Sequence, residues 1–245
     1  MTSRSCFIFA GPSLYGAAIA EQACASITWL PPVKRGDVQH LVAEQEPCHI
    51  AIVDGLFHQQ LAVGHIELRN AVRSGWTIWG LSSMGAIRAY EMRGLGVRPF
   101  GRVYSYFLRH PTFRDDEVAL LHHASAPYRC TSEPLIHIRV ALEDQVAKGF
   151  LTSAVRDHII QNLSSMWFGH RTLDVLLQLI NTYAGSDDRI DSIRLIDGFQ
   201  KYRIKSTDLA DFVSFFPVLA QCPLDEQGVY GQPSLLQEQC RSALI

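Results

Sequence analysis

Ser82 and Ser83 lie within the run Trp76-Thr77-Ile78-Trp79-Gly80-Leu81-Ser82-Ser83-Met84-Gly85-Ala86-Ile87-Arg88-Ala89-Tyr90-Glu91. An apolar, β-rich stretch breaks at Gly80, small residues follow, and a helical pattern begins. A serine on such a strand-to-helix turn has two uses. Its hydroxyl can cap the helix, or it can stand as a nucleophile or anion contact beside unpaired backbone N–H groups. A nucleophile elbow asks for small residues two places either side of the serine. Ser83 has Gly85 after it but Leu81 before it, and Ser82 has Gly80 before it but Met84 after it. Spacing alone leaves cap and functional serine both open.

Other residue types capable of chemistry lie on either side. Asp54 ends the apolar run His49-Ile50-Ala51-Ile52-Val53 just before Gly55. A carboxylate there can orient a base, hold a ribose or a metal, or simply cap a turn. His65 and Glu67 stand two residues apart at a helix start, so they do not share a helical face. His65 can act as a general base if its helix begins beside Ser83; otherwise it is a surface or partly buried histidine. Arg88 and Glu91, three apart, suit an intrahelical pair, or Arg88 can contact an anion held at Ser83. Asp115-Asp116-Glu117, with His122 and His123 nearby, reads as a solvated helix start or a divalent-metal cluster. It lacks a ligand set of diagnostic spacing, so no metal is expected. There is no P-loop, and no Gly-x-Gly-x-x-Gly follows a strand, so no cofactor is expected.

The elements that must position these residues alternate. Strands are expected at Cys6 to Ala10, Ser26 to Leu30, His49 to Val53 and Trp76 to Gly80. Helices are expected at Tyr15 to Ala25, Asp37 to Glu46, Val63 to Ser74 and after Met84. This alternation predicts an α/β fold, an open, mostly parallel sheet with helices on both faces. Ligands of such sheets bind outside the carboxyl ends of the strands. That rule singles out Gly11-Pro12-Ser13, Pro31 to Arg35, Asp54-Gly55 and Ser82 to Gly85. Arg102 to Arg109 reads as a helix with an aromatic face, and Val118 to His123 as a fifth strand or a helix start. Ser132-Glu133-Pro134 opens a helix running towards Lys148. Beyond Gly149 the pattern is helical, with Leu173, Leu176, Leu177 and Ile180 as an apolar face. The expected division is an α/β core over residues 1–148 and a helical portion over 149–245 packed on it. The tail after Pro217 reads as loosely ordered.

Composition narrows the class. Of 245 residues, 47% are hydrophobic and 19% charged, so a sizeable core is expected. The formal net charge is -2 with no basic run, which argues against nucleic acid. No run is long and apolar enough for a bilayer, and no signal peptide is evident. The scattered cysteines Cys6, Cys24, Cys48, Cys130, Cys222 and Cys240 suit reduced thiols in a cytoplasm.

Taken together these segments resemble the TfuA-like family. The resemblance is carried by Phe9-Ala10-Gly11-Pro12-Ser13, Pro31-Pro32 with Arg35-Gly36-Asp37, and Ile52-Val53-Asp54-Gly55 with Phe57. It continues through His65, Glu67, Ser82-Ser83-Met84-Gly85-Ala86 with Arg88 and Glu91, and Asp115-Asp116-Glu117-Val118-Ala119. Tyr128 and Ser132-Glu133-Pro134 with Arg139 complete it, over roughly Phe7 to Leu142. The chain departs from the family's small residues at Leu81 and Tyr90, and from its frequent asparagine at His137. The resemblance implies an accessory protein of ribosomal peptide backbone thioamidation, working beside a YcaO-type enzyme and its precursor peptide. It further implies hydrolysis of a thiocarboxylated ThiS-like sulfur carrier, with release of sulfide. Against that chemistry, Ser83 is the expected nucleophile or substrate contact, His65 the base, and Asp54 or Glu67 its orienter. Ser82, Gly85, Arg88, Gly11, Ser13 and Asp116 are the expected substrate contacts. An adaptor that binds YcaO, carrier and peptide without chemistry is the alternative.

Overall fold

The computed structural model describes residues 5–20, 25–56, 60–186 and 188–220. Among them five short strands form one sheet: β1 (Cys6–Phe9), β2 (Ile27–Leu30), β3 (His49–Ile52), β4 (Thr77–Gly80) and β5 (Val97–Pro99). Every pairing is parallel, in the order β2-β1-β3-β4-β5. The crossovers from β2 onward carry α1 (Asp37–Glu44), α2 (His65–Arg73) and α3 (Met84–Glu91). They all advance the same way across the sheet, so right-handed connections stack them on one face. The chain therefore reverses direction between β1 and β3, and a ligand crevice belongs at that reversal.

The other face is closed from far along the chain. Cys6, Ile8, Ala51, Val53, Trp79 and Leu81 all share one parity along their strands. They pack with Leu209, Phe212, Val213, Phe216 and Leu219 of the last helix, α9 (Ile204–Leu219). Trp79 meets Phe212 edge-on at 5.6 Å between ring centres, and His49 meets Phe216 at 5.2 Å. Burying so many large apolar side chains is the main force holding α9 to the sheet.

The described residues fall into two compact units. One is built from residues up to Thr112 together with those from Lys205 onward, the other from Phe113–Ile204. The second unit contains α5 (Leu135–Ala147), α6 (Ser153–Ser165), α7 (Leu173–Tyr183) and α8 (Ser192–Asp197). In α7 only Leu176 and Ile180 of the expected apolar face are fully buried.

Several local expectations differ from the structure. Tyr15 to Ala20 is not helical: a short 3-10 turn covers Pro12–Leu14, and Gly16 takes a φ of 78° that breaks the run. Residues 21–24 of that expected helix lie outside the described residues. Helix α1 starts at Asp37 as expected but ends at Glu44, and Gly36, at φ 92°, holds its cap position. The fifth strand is Val97–Pro99, not Val118 to His123, where His122 makes only an isolated bridge to Cys130. Gly94 and Gly96, at φ 80° and 92°, turn the chain back after α3 and let β5 pair with β4. Helix α9 continues through Pro217 to Leu219, and residues 221–245 of the expected tail lie outside the described residues.

Asp208 joins α9 to α4 (Arg102–Arg109). Its carboxylate accepts the N–H groups of Arg102 and Val103 at 2.9 and 3.0 Å. Burial raises its pKa from 3.8 to about 7, against the lowering effect of the Val103 and Arg102 N–H bonds. The folded chain therefore holds this proton more tightly than the unfolded chain. The contribution is complete below the unfolded value of 3.8 and is lost as pH rises through about 7. Within that window wild-type stability should fall by up to about 1.4 kcal/mol per pH unit from this group. Asp208→Asn should remove the slope; urea unfolding at about pH 5 and about pH 8 measures it.

Candidate functional site

Parallel register brings three polar segments level at the carboxyl edge. Phe9 pairs with Ile52, and Ile52 with Gly80. Two residues beyond each, past the ends of adjacent strands that run about 4.8 Å apart, lie Gly11, Asp54 and Ser82.

Asp54 is buried, and its partners lie on the neighbouring loop. Its Oδ2 accepts the N–H groups of Gly11 and Ser13, each at 2.9 Å, and its Oδ1 accepts the Ser13 hydroxyl at 2.8 Å. The donors that would otherwise form an anion cradle at the β1–β3 reversal are thus taken by the chain's own carboxylate. Asp54 orients this loop, and no hydrogen bond joins it to His65. Asp54→Ala would leave these donors without an acceptor. An unfolding free energy lower by about 3 kcal/mol is expected in urea titration.

The serine turn divides its two hydroxyls. Ser82 adopts φ 62°, in the left-handed region, although it is not glycine. Strand alternation would set it beside Gly80 on the α3 side. The turn instead directs its hydroxyl to the carbonyl of Lys205 at 2.9 Å, at the start of α9. The sharp reversal thus centres on Ser82, but the free hydroxyl is that of Ser83. Ser83 is the N-cap residue of α3 and makes no side-chain capping bond. Its side chain has no hydrogen bond to any described residue, and no fully buried side-chain oxygen in the described chain lacks a partner. Ser83 is itself buried, with 2% of its surface exposed. The Met84 N–H beside it also gives no bond to a described residue. Gly85 donates to the Val53 carbonyl at 3.3 Å, which binds this helix start to β3. A hydroxyl, an N–H and the positive end of α3 together can hold a carboxylate-like anion or a developing oxyanion.

His65 is placed elsewhere. Its Nε2 lies 2.8 Å from Oε2 of Glu91, which also accepts Nη1 of Arg88 at 2.5 Å. Arg88 Nε donates to the Val63 carbonyl at 2.9 Å. Glu91 ends the helix that Ser83 begins, about 12 Å away along its axis. The structure thus joins His65, Glu91 and Arg88 but does not bring His65 or Arg88 to the Ser83 hydroxyl. Glu67 is occupied as well: Oε1 accepts Gly64 N–H at 2.7 Å and Oε2 accepts Gly36 N–H at 3.0 Å. It caps α2 and ties it to the turn before α1. Glu91 as the partner of His65 was missed in the sequence; its place three residues after Arg88 was the available signal.

Asp116 lies in the second unit. Its Oδ2 meets Nη2 of the fully buried Arg171 at 2.8 Å, and Arg114 pairs with it from the surface. Arg171 also bonds the carbonyls of Leu163, Asp116 and Met166. Burial raises the Asp116 carboxyl, but bonds and charge from Arg171 and Arg114 bring it below its ordinary value. Glu117 forms a two-pronged pair with Arg139 at 2.8 and 2.9 Å, and Glu133 binds His137 and Arg203. These acids hold the second unit together rather than facing solvent. Among the described residues no three His, Cys, Asp or Glu side chains gather as a metal site would require.

Residues 54–172 match the family model described as TfuA-like protein. This segment belongs to the TfuA-like family. No curated protein matches it. The TfuA-like match suggests a role in YcaO-associated thioamide biosynthesis, and that family is associated with YcaO partners. The TfuA-like segment runs from Asp54 through the serine turn and the His65–Glu91–Arg88 cluster to Asp116 and Arg171. Gly11 and Ser13, which Asp54 binds, precede it. No helix among the described residues is long and apolar enough to cross a membrane.

Proposed function

We propose that this TfuA-like chain supports backbone thioamidation of a ribosomal peptide by receiving a thiocarboxylated ThiS-like carrier at the Ser83 turn. The observation that carries this reading is the pairing of a buried Ser83 hydroxyl, bonded to no described residue, with the unbonded Met84 N–H at the head of α3. A carrier's flexible C-terminal tail ends in a small anion, and this turn lies at the edge of the sheet where such a tail can reach. In the hydrolytic reading, water attacks the thiocarboxylate carbon, or Ser83 attacks it first and water then cleaves the resulting serine ester. The C–S bond breaks, the carrier ends as a carboxylate, and hydrogen sulfide leaves for the YcaO enzyme. Donors at the turn stabilise the tetrahedral oxyanion.

One observation favours the adaptor reading, in which the turn holds the carrier and the YcaO enzyme and peptide bind without chemistry. Neither a histidine nor a carboxylate hydrogen-bonds Ser83 among the described residues, so the hydroxyl has no adjacent base. A purified mixture of chain and thiocarboxylated carrier separates the two. Hydrolysis predicts sulfide above the carrier-alone rate; the adaptor predicts a stable complex and no extra sulfide. Absence of both complex and sulfide overturns the proposal.

A further inference from the structure

The second unit contains a cavity of about 600 Å³, well within the range of about 300–1,000 Å³ that suits small-molecule sites. Its wall carries Lys148, Arg189, Arg194 and Lys201 against one carboxylate, Asp191. That carboxylate is already engaged, accepting the Arg194 backbone N–H at 3.0 Å to cap α8. Asp144, just behind the wall, takes the Lys148 ammonium at 2.6 Å and the Tyr202 hydroxyl at 2.5 Å. Lys201 lies over the Tyr202 ring at 4.7 Å. The guanidinium groups of Arg189 and Arg194, by contrast, have no ion pair or hydrogen bond with any described residue. A concave surface with an excess of one sign of charge focuses its field on the space it encloses. Two uncommitted planar forks are suited to bidentate binding of phosphate oxygens.

The wall is not purely polar. Phe150 is 44% exposed, so its ring offers an open apolar face beside these cations, and Leu195 adds apolar surface. We infer that this cavity binds a phosphate-bearing small molecule with a planar group, of the chemical class of a nucleoside diphosphate. Arg189 and Arg194 grip the phosphates, Lys148 and Lys201 add attraction at longer range, and the planar group lies against Phe150. This site is independent of the Ser83 turn and of the carrier.

Calorimetric titration of the full chain with ADP, pyrophosphate and a glutamate-rich peptide tests the assignment. ADP is expected to bind saturably and more weakly as salt is added. Its affinity should fall at least about tenfold in the Arg189→Ala/Arg194→Ala double variant, and at least about tenfold when pyrophosphate replaces it. Arg156→Ala, which removes a surface cation paired with Asp157, should leave binding unchanged. A double variant that binds ADP as tightly, with unchanged circular dichroism, overturns the site. So does an absence of saturable ADP binding, or binding of the acidic peptide alone. Pyrophosphate binding as tightly as ADP overturns the place given to the planar group.

Discussion

Ser83→Ala is expected to cut carrier-dependent sulfide release by at least about 100-fold, the scale seen when one preorganised oxyanion donor is lost. The Ser83 hydroxyl makes no bond within the described chain, so its removal leaves no partner stranded. Stability should therefore change little, and the lost rate would report on chemistry rather than folding. The size of the residual rate is informative. A fall to the uncatalysed rate marks a nucleophile, whereas a residual rate well above it marks a donor to the anion. His65→Ala provides the contrast. Its ring binds Glu91 at the far end of α3, so a change of less than about threefold is expected. Unchanged sulfide release in Ser83→Ala, measured beside an unchanged unfolding curve, would remove Ser83 from the chemistry.

Gly85→Ala is expected to lower the unfolding free energy by more than the roughly 1–3 kcal/mol typical of overpacking. A β-carbon at Gly85 would stand 1.7 Å from the carbonyl oxygen of Ile52, and one at Gly80 would stand 2.2 Å from the carbonyl oxygen of Gly85. Both obstacles are backbone, so neither can swing aside as a side chain would. The start of α3 must lift away from β3 and β4, breaking the bond from Gly85 N–H to the Val53 carbonyl. The Ser83 hydroxyl and Met84 N–H move with it. Urea unfolding should show the loss of stability, and sulfide release should fall in the fraction that remains folded. A wild-type unfolding midpoint in Gly85→Ala would contradict this account of how the turn is held.

The paired glycines explain why the serine turn was readable in the sequence while its workings were not. The apolar run to Gly80, the small residues and the helical pattern after Met84 mark strand, turn and helix locally. Which serine is sharply bent and which is free depends on Lys205, 123 residues after Ser82, whose carbonyl takes the Ser82 hydroxyl. Asp54 shows the same division. Its position at a strand end was legible, but its role was not, because Gly11 and Ser13 reach it only through the β1–β3 pairing. The resemblance implied His65 as a base with Asp54 or Glu67 as its orienter. In the fold His65 turns to Glu91, and Glu67 to Gly36 and Gly64.

By itself the sequence determined the α/β class, the strand ends that carry polar residues, the helix starts after β2, β3 and β4, and the TfuA-like motifs. These are local signals: period, glycine breaks and short runs of residue types. Only the tertiary structure decided strand order, the closing of the second sheet face by α9, and the capture of Asp116 by the buried Arg171. It also decided that the unbonded hydroxyl at the sheet edge is that of Ser83, while those of Ser82 and Ser13 are spent on bonds within the chain. Each of these depends on contacts between segments far apart in the chain. Such contacts are selected by burial and hydrogen-bond satisfaction over the whole fold, which leaves no local periodicity to read.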